Sequence, residues 1–529
     1  MAQINVNNLT FAYEGSFDNV FENTSFSIDT NWRLGFVGRN GKGKTTFLNL
    51  LLGKYEYEGS ICTNMVFDYF PYMVGTEELT KTADELMESW KPGVESWRVM
   101  CELPELSIDA DLLYRPFGTL SFGERTKIML AILFSGDNDF LLIDEPTNHL
   151  DKEAREIVKS YLKKKKGFIL VSHDRDVLDA CIDHVLVLNR ASIEVQAGNF
   201  SSWWENKEKA DINARAENEK HLKEIGKLEA AADRAGRWAE KSENTKIGFD
   251  PIKEHDRSKD TRGYIGAKTK KMQKRVKSYE GRISREIDEK EGLLNDIEEV
   301  TDLKLMPLKY HKERLMYALD YSLKYKDADA CIFSGLAFEI NNGDRVVIDG
   351  ENGTGKSSLI KAILDANRGM VDENCKSQYK FVGNLHFYFT IYKNVTYEGE
   401  GTIEVPKNLT ISYINQDTSH LKGFLKDYCE SQALDYTLLL SLLRQLDFER
   451  VQYVKPMEQY SEGQKKKVLI AASLLTSAHL YIWDEPLNYI DIFTRMQIEK
   501  LIATYKPTMI LVEHDVRFKE KIATKVIRL

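Results

Sequence analysis

Two copies of one glycine-rich motif constrain the fold of this chain more than any other feature of its sequence. The first copy, GRNGKGKT, begins at Gly38, and the second, GENGTGKS, begins at Gly350, an offset of 312 residues. Tyr13 and Tyr325 are separated by the same offset. An offset that is shared by separate landmarks indicates a duplicated domain rather than two chance motifs.

Each motif lies between a predicted buried strand, at residues 33–37 and 345–349, and a predicted helix. In this context the glycines let the backbone wrap around phosphates, and N–H groups at the helix N-terminus point at the anion. The lysine of the motif neutralises charge between the β- and γ-phosphates, and the hydroxyl after it ligates Mg²⁺. The sequence therefore predicts two ATP sites that use Mg²⁺. The predicted nucleotide-binding residues of the loops are Gly38, Asn40, Gly41, Gly43, Lys44, Thr45, Thr46, Gly350, Asn352, Gly353, Gly355, Lys356, Ser357 and Ser358.

A pair of carboxylates ends a short apolar strand in each copy. The first pair is Asp144 and Glu145, after FLLI, and the second is Asp484 and Glu485, after LYIW. An aspartate at a strand end can hold Mg²⁺ through water. The glutamate beside it is placed to orient and polarise an attacking water. The sequence therefore predicts ATP hydrolysis, with Thr45 and Ser357 joining the two aspartates as metal ligands.

Shorter motifs give each half a resemblance to an ABC nucleotide-binding domain. They are signature-like segments, LSFGE from Leu120 and YSEGQ from Tyr460, D-loop segments that end at Asp151 and Asp491, and an apolar strand before a histidine. The resemblance implies an α/β fold with two tandem domains, paired within one monomeric chain so that each phosphate loop faces the other half's signature. The resemblance implies contacts to ATP from Ser121, Gly123, Ser461, Gly463 and Gln464, and stacking on adenine by Tyr13 and Tyr325. It also implies that Gln416 ligates the metal and that His173 and His514 are catalytic residues that sense the γ-phosphate.

The two halves depart from the family pattern in different ways. The glycine that usually follows the signature serine is Phe122 in one half and Glu462 in the other. The Q-loop glutamine is present as Gln416, but the matching place in the first half holds Tyr72. Loss of that amide weakens the coordination of Mg²⁺ or water. We therefore expect two unequal ATP sites, and the sequence does not indicate which one turns over faster.

Composition excludes several classes of protein. With 42% hydrophobic residues and no run of about 20 apolar residues, the chain is not a polytopic membrane protein. The N-terminus lacks the basic and apolar regions of a signal peptide. The six cysteines show no CxxC pairing, which favours reduced thiols. We therefore expect a cytoplasmic protein without membrane contact.

A charged segment separates the two copies. We predict a first nucleotide-binding domain at 1–205, a helical linker at 206–305 and a second domain at 306–529. The linker has helical spacing on both sides of a polar stretch at 242–266, which predicts a long antiparallel helical hairpin with a looped tip. From residue 253 to residue 285 there are twelve Lys or Arg against four Asp or Glu, although the whole chain has a net charge of -9. Such a stripe is either a solvated spacer or a contact for a phosphate backbone.

Tandem cassettes, a charged linker and no membrane domain together resemble the ABC-F family of ribosome-binding ATPases. Three segments, GNFSSWWE, SEGQKKKVLI and DEPLNYID, are similar to its Lsa/Vga-type antibiotic-resistance branch. The resemblance implies binding in the E site of the bacterial ribosome, with 23S rRNA and P-site tRNA as partners. It also implies release of lincosamides, pleuromutilins and streptogramin A by a loop at about 246–264. The loop residues implied are Lys246, Phe249, Asp250, Pro251 and Tyr264.

Other interpretations remain open from the sequence. Within the family, the alternative is a translation factor that acts on stalled ribosomes without drug resistance. Outside it are the ATPase subunit of a transporter, a DNA-maintenance ATPase and an ATP-binding switch with little turnover. The second copy also carries an insertion at about 370–396, whose alternating aromatic pattern predicts a hairpin. The sequence does not define which drugs are released. It also does not distinguish direct displacement of the drug from release through remodelling of rRNA.

Overall fold

The computed structural model describes most of the chain. The described residues are 3–13, 19–41, 43–136, 139–148, 150–188, 193–244, 270–271, 274, 277–279, 281–282, 303–325, 330–351, 353–368, 397–407 and 409–529. They form two compact units, one of Met1–Trp203 with Thr301–Leu529 and the other of Trp204–Val300. The first unit contains both copies of the repeat, each folded as an α/β cassette.

The first cassette is built on two β-sheets. Its strands are β1 (Gln3–Phe11), β2 (Phe21–Asp29), β3 (Arg33–Val37), β4 (Glu58–Cys62), β5 (Val66–Phe70), β6 (Asp139–Asp144), β7 (Phe168–Val171), β8 (His184–Leu188) and β9 (Ile193–Ala197). Its α-helices are α1 (Lys44–Leu51), α2 (Ala83–Trp90), α3 (Ser96–Glu102), α4 (Phe122–Phe134), α5 (Lys152–Lys164) and α6 (Arg175–Cys181). One sheet has the antiparallel order β2-β1-β4, and the other has the order β5-β6-β7-β3-β8-β9 with only β9 antiparallel.

The parallel strands carry the core of this cassette. β6 and β7 have the apolar runs FLLI and FILV, and these residues are buried throughout. Continuous apolar runs are expected where helices cover both faces of a parallel sheet. The carboxyl ends of parallel strands lie at one edge, so the residues after β3, β6 and β7 meet there. These residues are the first glycine loop, the first carboxylate pair and the segment of His173.

The second cassette repeats this plan. Its strands are β10 (Arg314–Tyr325), β11 (Cys331–Asn341), β12 (Arg345–Asp349), β13 (Tyr397–Glu404), β14 (Ile411–Ile414), β15 (Leu480–Asp484), β16 (Met509–Val512) and β17 (Lys525–Arg528). Its helices, with α7 (Phe200–Asn244) preceding the cassette, are α8 (Lys356–Arg368), α9 (Leu425–Ser431), α10 (Tyr436–Gln445), α11 (Glu462–Leu475), α12 (Ile492–Tyr505) and α13 (Val516–Ile522). The antiparallel sheet has the order β11-β10-β13 and the parallel sheet β14-β15-β16-β12-β17.

The linker begins as one helix of 45 residues, α7. The predicted tip lies outside the described residues except for 242–244, where the helix still continues, and the insertion at 370–396 lies outside them entirely. The described residues between 270 and 282 are helical, as the prediction of a second arm requires. Of the helices that the structure describes, none is both long and apolar enough to cross a membrane.

Candidate nucleotide sites

The two phosphate loops hold their lysines in similar ways. The Lys44 ammonium donates to the carbonyl of Gly38 at 2.5 Å and to Asn40 Oδ1 at 3.2 Å. The Lys356 ammonium donates to the carbonyl of Gly350 at 2.8 Å and to that of Glu351 at 2.7 Å. Each loop therefore wraps its own lysine at the edge of the parallel sheet. Asn352, predicted to bind nucleotide, lies outside the described residues.

Two of the loop glycines are required by the backbone. Gly43 and Gly355 precede the first helical residue with φ of 106° and 96°, a region that side chains with a Cβ rarely adopt. A Cβ at Gly43 would also collide with Val20, and one at Gly355 with Ile332. These glycines therefore let the loop pass close to the antiparallel sheet while its N–H groups turn towards the bound anion.

The predicted adenine tyrosines occupy matching positions. The Tyr13 hydroxyl lies 2.6 Å from Thr46 Oγ1, and the Tyr325 hydroxyl lies 2.8 Å from Ser358 Oγ. Both rings are exposed, at 44% and 37%. Each aromatic ring is thus tethered to the first turn of a phosphate-loop helix while much of its surface stays open, as stacking on a base requires.

The predicted metal ligands are also brought together. Thr45 Oγ1 lies 3.4 Å from Asp144 Oδ2, and Ser357 Oγ donates to Asp484 Oδ2 at 2.9 Å. The other oxygen of Asp484, Oδ1, is buried and has no hydrogen-bond partner. Burial raises the pKa of Asp484 to about 6. A hard cation with oxygen ligands would satisfy that orphaned oxygen and offset the cost of burying the charge, so the donor set fits Mg²⁺.

Each glutamate faces the histidine that the motif predicts. Glu145 Oε1 lies 3.3 Å from His173 Nε2, and Glu485 Oε1 lies 3.4 Å from His514 Nε2. Both glutamates have positive φ, 51° and 47°, which is uncommon for residues other than glycine. Such backbone strain is typical of functional positions. The repeat therefore builds the same glutamate–histidine pair twice.

The electrostatic surroundings of the two glutamates differ. Burial, and then the charge of Asp144, raise the pKa of Glu145 to about 8. Burial alone would raise the pKa of Glu485 as well, but the hydrogen bond with His514 and nearby lysine charges lower it below its usual range. Glu485 Oε2 also accepts amide hydrogen bonds from Gln416 at 2.9 Å and from Asn488 at 2.8 Å. Asn488 was not singled out in the sequence, where it is simply the fourth residue after Asp484.

The first cassette has a different arrangement at the Q-loop position. The Tyr72 hydroxyl donates to Asp68 at 2.8 Å, and the Tyr72 ring stacks on Trp90. The Tyr69 hydroxyl, three residues earlier on β5, donates to Asp144 Oδ2 at 3.0 Å. Motif comparison missed Tyr69 because it examined only the position that matches Gln416.

The signature serines begin their helices. Ser121 Oγ and Ser461 Oγ each accept the N–H three residues on, at 3.2 Å and 3.3 Å. The side chain of Gln464 accepts from the Ser461 N–H, so in the structure this predicted ATP contact completes a capping box. Glu462, which replaces the usual glycine, accepts from Thr418 at 2.6 Å. Phe122, its counterpart, is 64% exposed, with the Arg125 guanidinium over its ring.

The cassettes meet at the first phosphate loop. Asn40 Nδ2 donates to the carbonyl of Tyr489, in the D-loop segment of the second cassette, at 2.9 Å. A Cβ at Gly463 would lie only 2.6 Å from the same carbonyl oxygen, so the signature helix of the second cassette passes directly beside it. Arg39 also pairs with Asp447 of the second cassette. The first phosphate loop therefore contacts the D-loop segment of the second cassette, next to the start of that cassette's signature helix.

Other charged residues also make contacts between the two cassettes. Arg155 Nη1 donates to the carbonyl of His514 at 3.1 Å. Arg517 Nη2 pairs with Asp179 at 2.6 Å, and Arg175 pairs with Glu499. The Arg517–Asp179 pair joins the two helices that follow the predicted switch histidines, and the Arg175–Glu499 pair joins α6 to α12. The neighbours of Gly123 and the capping partner of Ser121 are in their own cassette.

The fold and these two sites define a protein with paired ATP-binding cassettes. The family model described as "ABC transporter" matches residues 21–148 and 333–488, which together are more than half of the chain. The chain belongs to this family, and it is an ATPase.

Relatives extend along nearly the whole chain. The ribosome protection protein VmlR of Bacillus subtilis is 26% identical over 520 residues, covering 96% of this chain and 84% of its own length. The erythromycin resistance ATP-binding protein MsrA of Staphylococcus epidermidis is 25% identical over 516 residues, covering 93% of this chain and 91% of its own. These relatives confirm the predicted resemblance to the resistance branch of the ABC-F family.

Solved structures share the fold. The archaeal ribosome recycling factor aABCE1, in its complex with the stalk protein aP1, has a TM-score of 0.57 and 18% identity, covering 98% of this chain and 87% of its own. A structure of RNase-L inhibitor has a TM-score of 0.54 and 17% identity, covering 99% and 87%. At this level of identity the likeness shows two cassettes in one chain and nothing further.

Proposed function

We propose that the chain is an ATP-dependent ribosome-protection protein. In its ATP-closed state it binds the E site of the bacterial ribosome, next to 23S rRNA and P-site tRNA, and promotes release of lincosamide, pleuromutilin and streptogramin A antibiotics. The observation that carries the proposal is the contact between the two cassettes at the first phosphate loop, in a chain whose relatives include proteins named for ribosome protection and erythromycin resistance.

ATP binding closes the cassettes in this proposal because each site uses residues of both. Lys44 and Lys356 neutralise the phosphates, and the neighbouring N–H groups hold them. The Asn40 amide already contacts the Tyr489 carbonyl, beside Gly463 of the opposite signature. An anion bound in the first loop therefore lies at the interface between the cassettes, where it stabilises their association.

Hydrolysis is assigned to the paired carboxylates and histidines. Thr45 and Asp144 would hold Mg²⁺ in the first site, and Ser357, Asp484 and Gln416 would hold it in the second. When bound, the ion supplies positive charge to the phosphate oxygens. Glu145 and Glu485 orient the attacking water, and His173 and His514, 3.3 Å and 3.4 Å from them, sense the γ-phosphate.

The linker transmits this closure to the drug site. We assign 1–205 and 306–529 to the cassettes and 206–305 to the linker. At about 1.5 Å per residue, the 45 residues of α7 form a helix roughly 68 Å long. The excess of lysine and arginine at 253–285 suits contact with RNA phosphates. The loop residues Lys246, Phe249, Asp250, Pro251 and Tyr264, predicted to act on the drug, lie outside the described residues.

Growth inhibition in susceptible bacteria tests the proposal. Cells would express the wild type, a chain with 246–264 replaced by a short Gly/Ser turn, or a Lys44→Ala/Lys356→Ala chain, and each would be challenged with a lincosamide, a pleuromutilin and an unrelated ribosomal drug. The expected result is raised tolerance to the first two drugs only, lost in both variants. The Lys44→Ala/Lys356→Ala chain is the matched control, because it keeps the loop and loses the lysines assigned to ATP.

No change in tolerance for any drug would refute the resistance proposal. Ribosome binding without antibiotic would then support the alternative, a translation factor that acts on stalled ribosomes. Tolerance that survives in the loop variant would instead remove the loop from the mechanism while leaving resistance in place.

A further inference from the structure

The first ATP site contains a hydroxyl group that neither the cassette motifs nor the proposed roles use. The Tyr69 hydroxyl donates to Asp144 Oδ2 at 3.0 Å, a normal length for a hydrogen bond between oxygens. The same oxygen lies 3.4 Å from Thr45 Oγ1, a longer and weaker contact. Of these two hydroxyls, Tyr69 therefore holds the carboxylate more firmly. The Lys54 ammonium lies over the Tyr69 ring, 5.5 Å from its centre.

The residue at the Q-loop position cannot take this role. Tyr72 donates its hydroxyl to Asp68 at 2.8 Å, and its ring stacks on Trp90 with centres 5.1 Å apart and planes 4° from parallel. Asp68 is in turn paired with Lys91 at 2.9 Å. The Tyr72 side chain therefore packs within its own cassette and donates its hydroxyl to Asp68 rather than to Asp144.

The corresponding residues of the second cassette make different contacts. Tyr413 occupies the position of Tyr69, since each is the third residue before the Q-loop position and lies on the strand next to the one that ends in the aspartate. The Tyr413 hydroxyl donates to Asn415 at 3.2 Å, and the Gln416 amide donates to Glu485. Asp484 accepts from Ser357 and leaves its Oδ1 without a hydrogen-bond partner.

We propose that Tyr69 is a positioning residue of the first ATP site. Its hydroxyl fixes the orientation in which Asp144 ligates the metal, a contact that neither Tyr413 nor Gln416 makes to Asp484 in the hydrogen bonds described for the second cassette. Hydrogen bonds to a ligating carboxylate orient it, and losing one typically weakens metal affinity about 10- to 100-fold. The inference rests on the proposed metal role of Asp144, and it does not depend on the ribosomal function.

Binding of Mn²⁺, which replaces Mg²⁺ and is detected by electron paramagnetic resonance, tests the role in the purified full-length chain. A non-hydrolysable ATP analogue would be present, and Lys356→Ala would disable the second site so that only the first is observed. Adding Tyr69→Phe removes the hydroxyl and keeps the ring that faces Lys54. We expect Mn²⁺ affinity to fall about tenfold or more, with binding of the analogue in EDTA unchanged.

Two matched variants separate positioning from packing. Tyr72→Phe in the same background removes a neighbouring buried hydroxyl that does not reach Asp144, and it should change Mn²⁺ affinity by less than about twofold. Tyr413→Phe in a Lys44→Ala background removes the counterpart hydroxyl. It should also change the Mn²⁺ affinity of the second site by less than about twofold. Thermal unfolding of every variant checks that the fold is retained.

The inference is overturned if Tyr69→Phe leaves Mn²⁺ affinity within about twofold of its parent, or if Tyr72→Phe lowers it as much. It is also overturned if the Lys356→Ala parent binds no Mn²⁺ with the analogue, because Asp144 would then hold no metal. None of these results depends on ribosomes, so a failure here is distinct from a failure of drug protection.

Discussion

The ion pair between Arg175 and Glu499 links the two cassettes in one of the most buried parts of their interface. Arg175 lies at the start of α6, two residues after His173, and Glu499 lies on α12 of the second cassette. Their side chains are only 4% and 6% exposed. Asp515 Oδ1 lies 3.9 Å from Arg175 Nη2, and the more exposed Lys521 reaches Glu499 at 3.2 Å.

Breaking this pair on one side leaves a buried charge, which costs about 3–5 kcal/mol. Glu499→Gln should fall at the lower end, about 3 kcal/mol, because Asp515 partly compensates Arg175. For a unit the size of one cassette, each kcal/mol shifts Tm by roughly 2–4 °C, so we expect a decrease of about 6–12 °C. Arg175→Met/Glu499→Leu removes both charges. It should lower the free energy of unfolding much less than either single change that leaves one charge unpaired, since apolar replacement of a buried pair is often nearly neutral.

A double-mutant cycle on thermal unfolding measures the coupling between these two positions. We expect a coupling of at least about 2 kcal/mol from Arg175→Met, Glu499→Leu and the double variant, within the range seen for contacting residues. Lys223→Met/Glu219→Leu on α7, an exposed pair in the linker, is the matched control, with a coupling below about 0.5 kcal/mol. Additive effects at Arg175 and Glu499 would refute the reasoning, because the cassettes would then not depend on this contact.

The remaining predictions concern ATP hydrolysis by the purified chain. In a Glu485→Gln chain, hydrolysis at the first site should rise between about pH 7 and 9, because Glu145 with its raised pKa stays protonated below about 8; a flat profile would contradict this. In a Glu145→Gln chain, hydrolysis at the second site should change little over that range, because the pKa of Glu485 is lowered. Adding Asn488→Ala to that chain should slow turnover about tenfold, since a hydrogen bond to a charged group contributes about 1.5–3 kcal/mol; an unchanged rate would remove Asn488 from the site.

Local sequence patterns predicted those parts of the sites that are built from consecutive residues. The loop between β3 and α1 and the carboxylates after β6 follow from an apolar run, a glycine turn and a helix start, all within a few positions. The same patterns recur around Lys356 and Asp484 in the second cassette. Spatial closeness of the loop and the carboxylates then follows from the shared edge of a parallel sheet.

The other parts of the sites depend on contacts between residues that are distant in the sequence. Motif comparison placed Tyr72 at the Q-loop position, but only the register of β5 beside β6 shows that Tyr69 reaches Asp144. Arg175 and Glu499 belong to different cassettes, and no local pattern pairs them. The raised pKa of Glu145 follows from burial, which depends on how completely the two cassettes cover this region.

Co-sedimentation with bacterial ribosomes tests whether the ATP-bound chain binds ribosomes. A Glu145→Gln/Glu485→Gln chain keeps the phosphate loops and loses both water-orienting carboxylates, so ATP should hold it closed. We predict that this chain pellets with ribosomes in ATP and stays in the supernatant in ADP, while the Lys44→Ala/Lys356→Ala chain stays in the supernatant in both. Failure of the Glu145→Gln/Glu485→Gln chain to pellet with ribosomes in ATP would contradict the claim that ATP closure drives ribosome binding.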